Sequence, residues 1–170
     1  MSIFKKIKAA KVSKGGNYMR AGHYLAFLRN IKQDTSRKDI PFIAVEMVVL
    51  ESLDNKVEEP HRPGEEATHL LMADKDSFLG NFKGMVANLA GAEADDVDEE
   101  TAEEVVSVDQ PLSGKVIEVI ARDIETRAGK PFTVIDYKRT LPTEEVEDRV
   151  GMANMKLSLT QAEIDTLLAG

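Results

Sequence analysis

The chain contains no cysteine, which removes disulfides, thiolate metal sites and cysteine nucleophiles together. Tryptophan is absent and aromatics make up 5 % of the residues, so any core must be built mainly from aliphatic side chains. No run approaches the ~20 apolar residues that a membrane helix requires. The opening Met1-Ser2-Ile3-Phe4-Lys5-Lys6-Ile7-Lys8 is cationic without the apolar stretch of a secretory signal. Gly15-Gly16 lacks the following Gly-Lys-Ser or Gly-Lys-Thr of a phosphate-cradling loop. His23, His61 and His69 show neither His-x-x-His nor His-Glu-x-x-His spacing. Carboxylates are plentiful, but those of residues 93–109 form a surface block, whereas acid–base catalysis prefers an isolated pair in apolar surroundings. The expectation is a cytoplasmic protein with no metal, no cofactor and no membrane attachment, and not an enzyme.

What is present suits one domain of ordinary size: 170 residues, 42 % of them hydrophobic. The net charge of −8 argues, taken alone, against a nucleic-acid partner. Its distribution argues otherwise. Residues 1–40 hold ten Lys or Arg against Asp34 and Asp39, whereas residues 93–109 hold nine carboxylates and no cation. A basic front and an acidic middle suggest a polyanion-binding surface with an acidic element kept elsewhere, set against the simpler alternative that both runs are solvated faces.

Residues 1–22, basic and glycine-containing, read as an arm. Residues 23–31 then carry two partly apolar faces, with Tyr24, Ala26 and Leu28 on one and Leu25, Phe27, Arg29 and Ile31 on the other. Residues 32–39 read as a polar turn, residues 42–50 as a β-branched strand, and residues 68–72 as a third strand. Asp74 offers an N-cap to a helix in which Phe78, Phe82, Met85, Val86 and Leu89 recur at helical spacing and Gly91 stands at the end. Gly80 and Gly84 share a four-residue spacing, which suggests close approach to a neighbouring backbone. The acidic stretch 98–106 reads as a short surface helix. Residues 115–126 and 132–140 form a hairpin around Arg127-Ala128-Gly129-Lys130. Beyond Pro142 an acidic tail ends in Thr160-Gln161-Ala162-Glu163, a capping box opening a short helix with Ile164, Leu167 and Leu168.

The order strand, strand, strand, helix, strand, strand predicts a mainly β protein with α-helix. Its expected form is a five-stranded Greek-key barrel of the oligonucleotide-binding (OB) type, with a helix between strands 3 and 4 and a C-terminal tail. The divisions are an arm at 1–22, an OB-fold domain at 23–141 with an acidic helical insertion at 93–110, and a tail at 142–170. Four pieces then carry a resemblance: Gly22-His23-Tyr24-Leu25-Ala26-Phe27-Leu28, the strand beginning at Phe42, Phe78-Leu79-Gly80-Asn81-Phe82-Lys83-Gly84, and Gly129-Lys130-Pro131-Phe132-Thr133. In that order and spacing they resemble the OB-fold single-stranded DNA-binding proteins of tailed bacteriophages, over roughly residues 15–140. The resemblance implies binding of single-stranded DNA without strong sequence preference and without catalysis. It further implies protection of the strand during phage replication or recombination in an infected bacterium. The alternative is an OB-like protein-interaction or virion-structural module that binds no nucleic acid.

Single-strand binding needs cations along the phosphates and flat side chains beneath the bases. The candidates are Tyr18 and Arg20 in the arm, Phe27 and Arg29 on the first strand, and Lys32, Arg37 and Lys38 in the turn. Phe42 opens the second strand, and Lys130, Tyr137, Lys138 and Arg139 lie on the last hairpin. Phe27 and Phe42 have a competing role as core. Tyr137 and Arg139 share a face by strict alternation. For the tail two roles remain open. It competes with DNA for the basic surface and presents Ile164, Leu167 and Leu168 to replication proteins of phage or host, or it packs on the barrel and completes its core.

Overall fold

The computed structural model describes residues 17–53 and 56–169; most of the basic arm, residues 1–16, lies outside the described residues. Five strands, β1 (Gly22–Thr35), β2 (Pro41–Ser52), β3 (Glu66–Met72), β4 (Val116–Glu125) and β5 (Pro131–Thr140), form one antiparallel sheet in the order β3-β2-β1-β4-β5. Helices α1 (Phe78–Ala90) and α2 (Glu99–Val105) lie between β3 and β4 in sequence; α3 (Thr143–Arg149), α4 (Met152–Ser158) and α5 (Gln161–Leu168) follow β5. The protein is mainly β with helices added on two sides.

β1 is hydrogen-bonded to both β2 and β4 and is buried on both faces, as its doubly apolar sequence requires. Tyr24, Ala26 and Leu28 join a core with Val45, Met47, Val119 and the α1 residues Phe82, Met85, Val86 and Leu89. Leu25 and Phe27 join a second core with Val48, Leu50, Val116 and the helices after Leu141. Ile31 departs from the expected alternation. The pairing with β2 skips Arg29, so the bulge rotates the strand and delivers Ile31 to the α1 side. β1 also runs four residues past its expected end. Lys32, Gln33, Asp34 and Thr35 pair with Ala44, Ile43, Phe42 and Pro41, leaving a turn of only 36–40. There the Ser36 hydroxyl accepts from the amides of Lys38 (3.3 Å) and Ile40 (3.2 Å).

Two glycines are dictated by geometry. Gly22 has φ +150°, and a Cβ there would collide with the Tyr24 hydroxyl. Gly129, at φ +73°, closes the β4–β5 turn by donating to Thr126 O at 2.8 Å. Gly80 and Gly84 behave otherwise than expected: no atom lies within 4 Å of a Cβ at either, so they mediate no close backbone approach. Asp74 does not cap α1 either, because a turn intervenes and the helix begins after Ser77.

The segment after Pro142 forms three helices where one was expected. The capping box holds: Thr160 Oγ accepts from the Glu163 amide at 3.1 Å, and Glu163 Oε1 accepts from the Thr160 amide at 2.9 Å. Val146, Val150, Met155, Leu159 and Ile164 are all buried against β1, β2 and β4, with Leu167 and Leu168 packed behind them. Of the two roles open to the tail, the structure therefore has the packed one. Ile164 is 3 % exposed, so it is not presented to a partner's groove. Phe82→Ala should cost about 3–5 kcal/mol and Met155→Ala about 2–5 kcal/mol of stability in urea unfolding. A chain ending at Leu141 should lose its cooperative transition, because the second apolar face of β1 would lie open to water.

Candidate nucleic-acid interface

The arm reaches the sheet as a short parallel ladder. Thr68 N–H donates to Asn17 O at 2.7 Å and Met19 N–H to Thr68 O at 3.1 Å, with Met19 buried and Tyr18 exposed. Arg20 is held by its own molecule. Its amide donates to His61 Nε2 (2.8 Å), and its guanidinium donates to Glu59 O (3.1 Å) and Glu65 (3.2 Å). His61 is 2 % exposed and burial pushes its pKa down. Its Nε2 accepts, so its proton sits on Nδ1, facing Glu65 at 3.2 Å.

Several predicted contact residues are engaged elsewhere. Phe27 is core beneath the C-terminal helices. Arg29 shares its face, as expected, but donates to Ser158 O (2.9 Å) and Glu163 (3.3 Å) of that cover. Lys32 pairs with Glu46 at 2.6 Å and Phe42 is half-buried. Arg139 makes a bidentate pair with Glu145 at 2.5 and 2.6 Å and reaches Glu118 at 3.0 Å. Glu118 also meets His23 at 2.8 Å, so this cluster staples β1, β4, β5 and α3 together. The Arg139 guanidinium holds Glu145 down to about 2, with Arg149 contributing at 3.3 Å.

Tyr137 and Arg139 do not share a face. The β4–β5 pairing steps from Glu118↔Arg139 to Val119↔Tyr137, leaving Lys138 as the bulged residue, so the ring turns into the α1 core. Its hydroxyl shares a 2.8 Å hydrogen bond with His69 Nδ1 of β3, and the rings stack at 5.8 Å. Burial pushes the Tyr137 pKa up and lowers His69 to about 4. Asn88 and Thr140 add bonds of 2.8 and 2.7 Å between α1 and β5. The two edge strands thus meet side chain to side chain over a cleft of about 310 Å³ that Gly80 and Gly84 help to line.

What stays exposed is concentrated at the hairpin tips. Arg37 and Lys38 cap β1–β2, Lys130 caps β4–β5 and Lys138 stands on its bulge; none has an ion pair among the described residues. Sequence reasoning missed the neighbours of Lys130. Phe132, 55 % exposed, lies directly opposite Ile124, 42 % exposed, and Arg127 shares the turn. Once Ile135 is placed against the core, alternation puts Thr133 on its face and Phe132 on the outward one. Tyr18 borders the same hairpin, lining an open groove with Asp123 and Thr133. No protein-family model and no curated protein sequence matches the chain.

Because folded His69 titrates near 4 and the unfolded side chain near 6.5, the unfolded chain binds more protons between those values. Stability is therefore full above the unfolded value and is lost as pH falls through this window, by up to about 3 kcal/mol. His61 acts in the same sense, whereas Glu145 acts only below its ordinary value of 4.5. His69→Gln should flatten the decline of the urea midpoint between pH 6.5 and 4, leaving the share owed to His61.

Proposed function

We propose that the chain binds single-stranded DNA, without strong sequence preference and without catalysis, on a five-stranded Greek-key barrel of the OB type. Support for the barrel comes from the strand order. With β1 paired to both β2 and β4, β3 and β5 are the outer strands of the sheet, and the His69–Tyr137 pair joins them with α1 beneath. The observation that carries the binding reading is the β4–β5 hairpin, where exposed Phe132 follows the turn that holds Arg127 and Lys130, a flat ring two residues from a cation, and neither cation has an ion pair among the described residues. Bases stack on such rings for about 1–3 kcal/mol each, and the cations follow the phosphates. Tyr18 borders this surface and Lys138 stands further along β5; Arg37 and Lys38 lie at the opposite end of β1, and Phe27, Arg29, Tyr137 and Arg139 do not belong to it. The resemblance to phage proteins extends the proposal to protection of exposed strands during phage replication or recombination, in the cytoplasm of the infected cell.

Fluorescence anisotropy with a labelled oligothymidylate tests this. Affinity should fall with salt at a log–log slope of about −0.7 per phosphate contacted. Phe132→Ala should weaken binding by about 1 kcal/mol or more at unchanged stability, and Arg127→Ala with Lys130→Ala should make the salt slope shallower. A flat salt profile would sink the proposal and favour a protein-interaction module; a preference for duplex would sink it as well.

A further inference from the structure

On the α1 side of the sheet a groove of about 200 Å³ opens between α1, α2 and the start of β2. Its walls are apolar: Phe42, Phe78, Leu79, Ala102 and Val106, with Glu99 and Glu103 at the rim. Leu79 is 74 % exposed, unusual for a leucine flanking two half-buried phenylalanines. The wall formed by α2 belongs to the acidic block of residues 93–109. Among the described residues that block makes one ion pair, Lys83 to Asp95 at 3.8 Å.

We propose that this groove is the docking site for the chain's own N-terminal segment, residues 3–8, which lies outside the described residues. The complementarity is of two kinds. In the sequence Ile3, Phe4 and Ile7 recur three to four residues apart, a spacing that suits a single apolar face, and Lys5, Lys6 and Lys8 flank them. Residues 1–16 hold five lysines and no carboxylate, against nine carboxylates and no cation in 93–109. The tether is long enough. Asn17 is fixed at Thr68, and the groove wall at Ala73 lies five residues further along the chain, about 17 Å at strand rise. The nine residues from Lys8 to Asn17 span up to about 30 Å extended. Docking places the lysines over the acidic block and screens it from a bound polyanion. The proposal stands on the groove and its charge, independently of whether the hairpin surface binds DNA.

The absence of cysteine makes a clean test possible. The double variant Ser2→Cys, Gln33→Cys, which leaves the apolar residues of segment and groove in place, is compared, under one mild oxidant, with Ser2→Cys, Leu157→Cys; Gln33 lines the groove, and Leu157 is 67 % exposed on α4, across the sheet. The groove pair should close an intramolecular disulfide about tenfold faster, reflecting a raised effective concentration. Adding Glu99→Gln with Glu103→Gln, or raising the salt, should slow it several-fold. Equal rates for the two pairs, or disulfide-linked dimers in place of closed monomers, would overturn the proposal.

Discussion

The burial of β1 on both faces is the constraint from which the rest of the architecture follows. A strand apolar on one side is satisfied by one layer; Tyr24, Ala26 and Leu28 on one side with Leu25 and Phe27 on the other demand two. α1 supplies the first layer, and the helices after Leu141 supply the second. The C-terminal segment is therefore structural, because without it Phe27, Leu50 and Val116 would present an open apolar sheet face. The bulges between β1 and β2, at Leu50 of β2 and Arg29 of β1, reconcile this double burial with strand curvature, since each skipped residue turns its own strand.

That second layer also decides the electrostatics. Cations that would otherwise face a polyanion are bound by carboxylates of the cover, Arg29 by Glu163 and Arg139 by Glu145. A bidentate arginine–carboxylate pair is a strong internal contact, and a phosphate could displace it only by leaving a carboxylate without its partner. Cations remain available where no element packs over them, at the turns of 36–40 and 126–130. These turns stand at opposite ends of β1, since Thr35 pairs with Pro41 while Gly22 pairs with Ala121 of β4. The acidic block sits on the α1 side, so one chain of net charge −8 keeps its free cations and its carboxylates on different elements.

α3 and α4 are not legible in the sequence, whereas the order of elements up to β5, the hairpins, the helix between β3 and β4 and the capping box of α5 all are. Each rests on contacts between residues close in the chain: period-two or helical alternation, a turn glycine, a hydroxyl three residues from its amide. The sequence also shows that β1 has two apolar faces. Which side chains are free depends on how the elements pack. Phe27 and Tyr137 are aromatic, as Phe132 is, but a cover of helices takes the first and a one-residue bulge turns the second into the core. Bulges leave no local signature, because they are set by pairing between strands distant in sequence, and a slip of one residue exchanges the two faces. Ion pairs such as Arg20–Glu65 and Arg139–Glu118 are likewise fixed by which strands become neighbours. A residue's type announces what it can bind, but its exposure is a property of the packed chain.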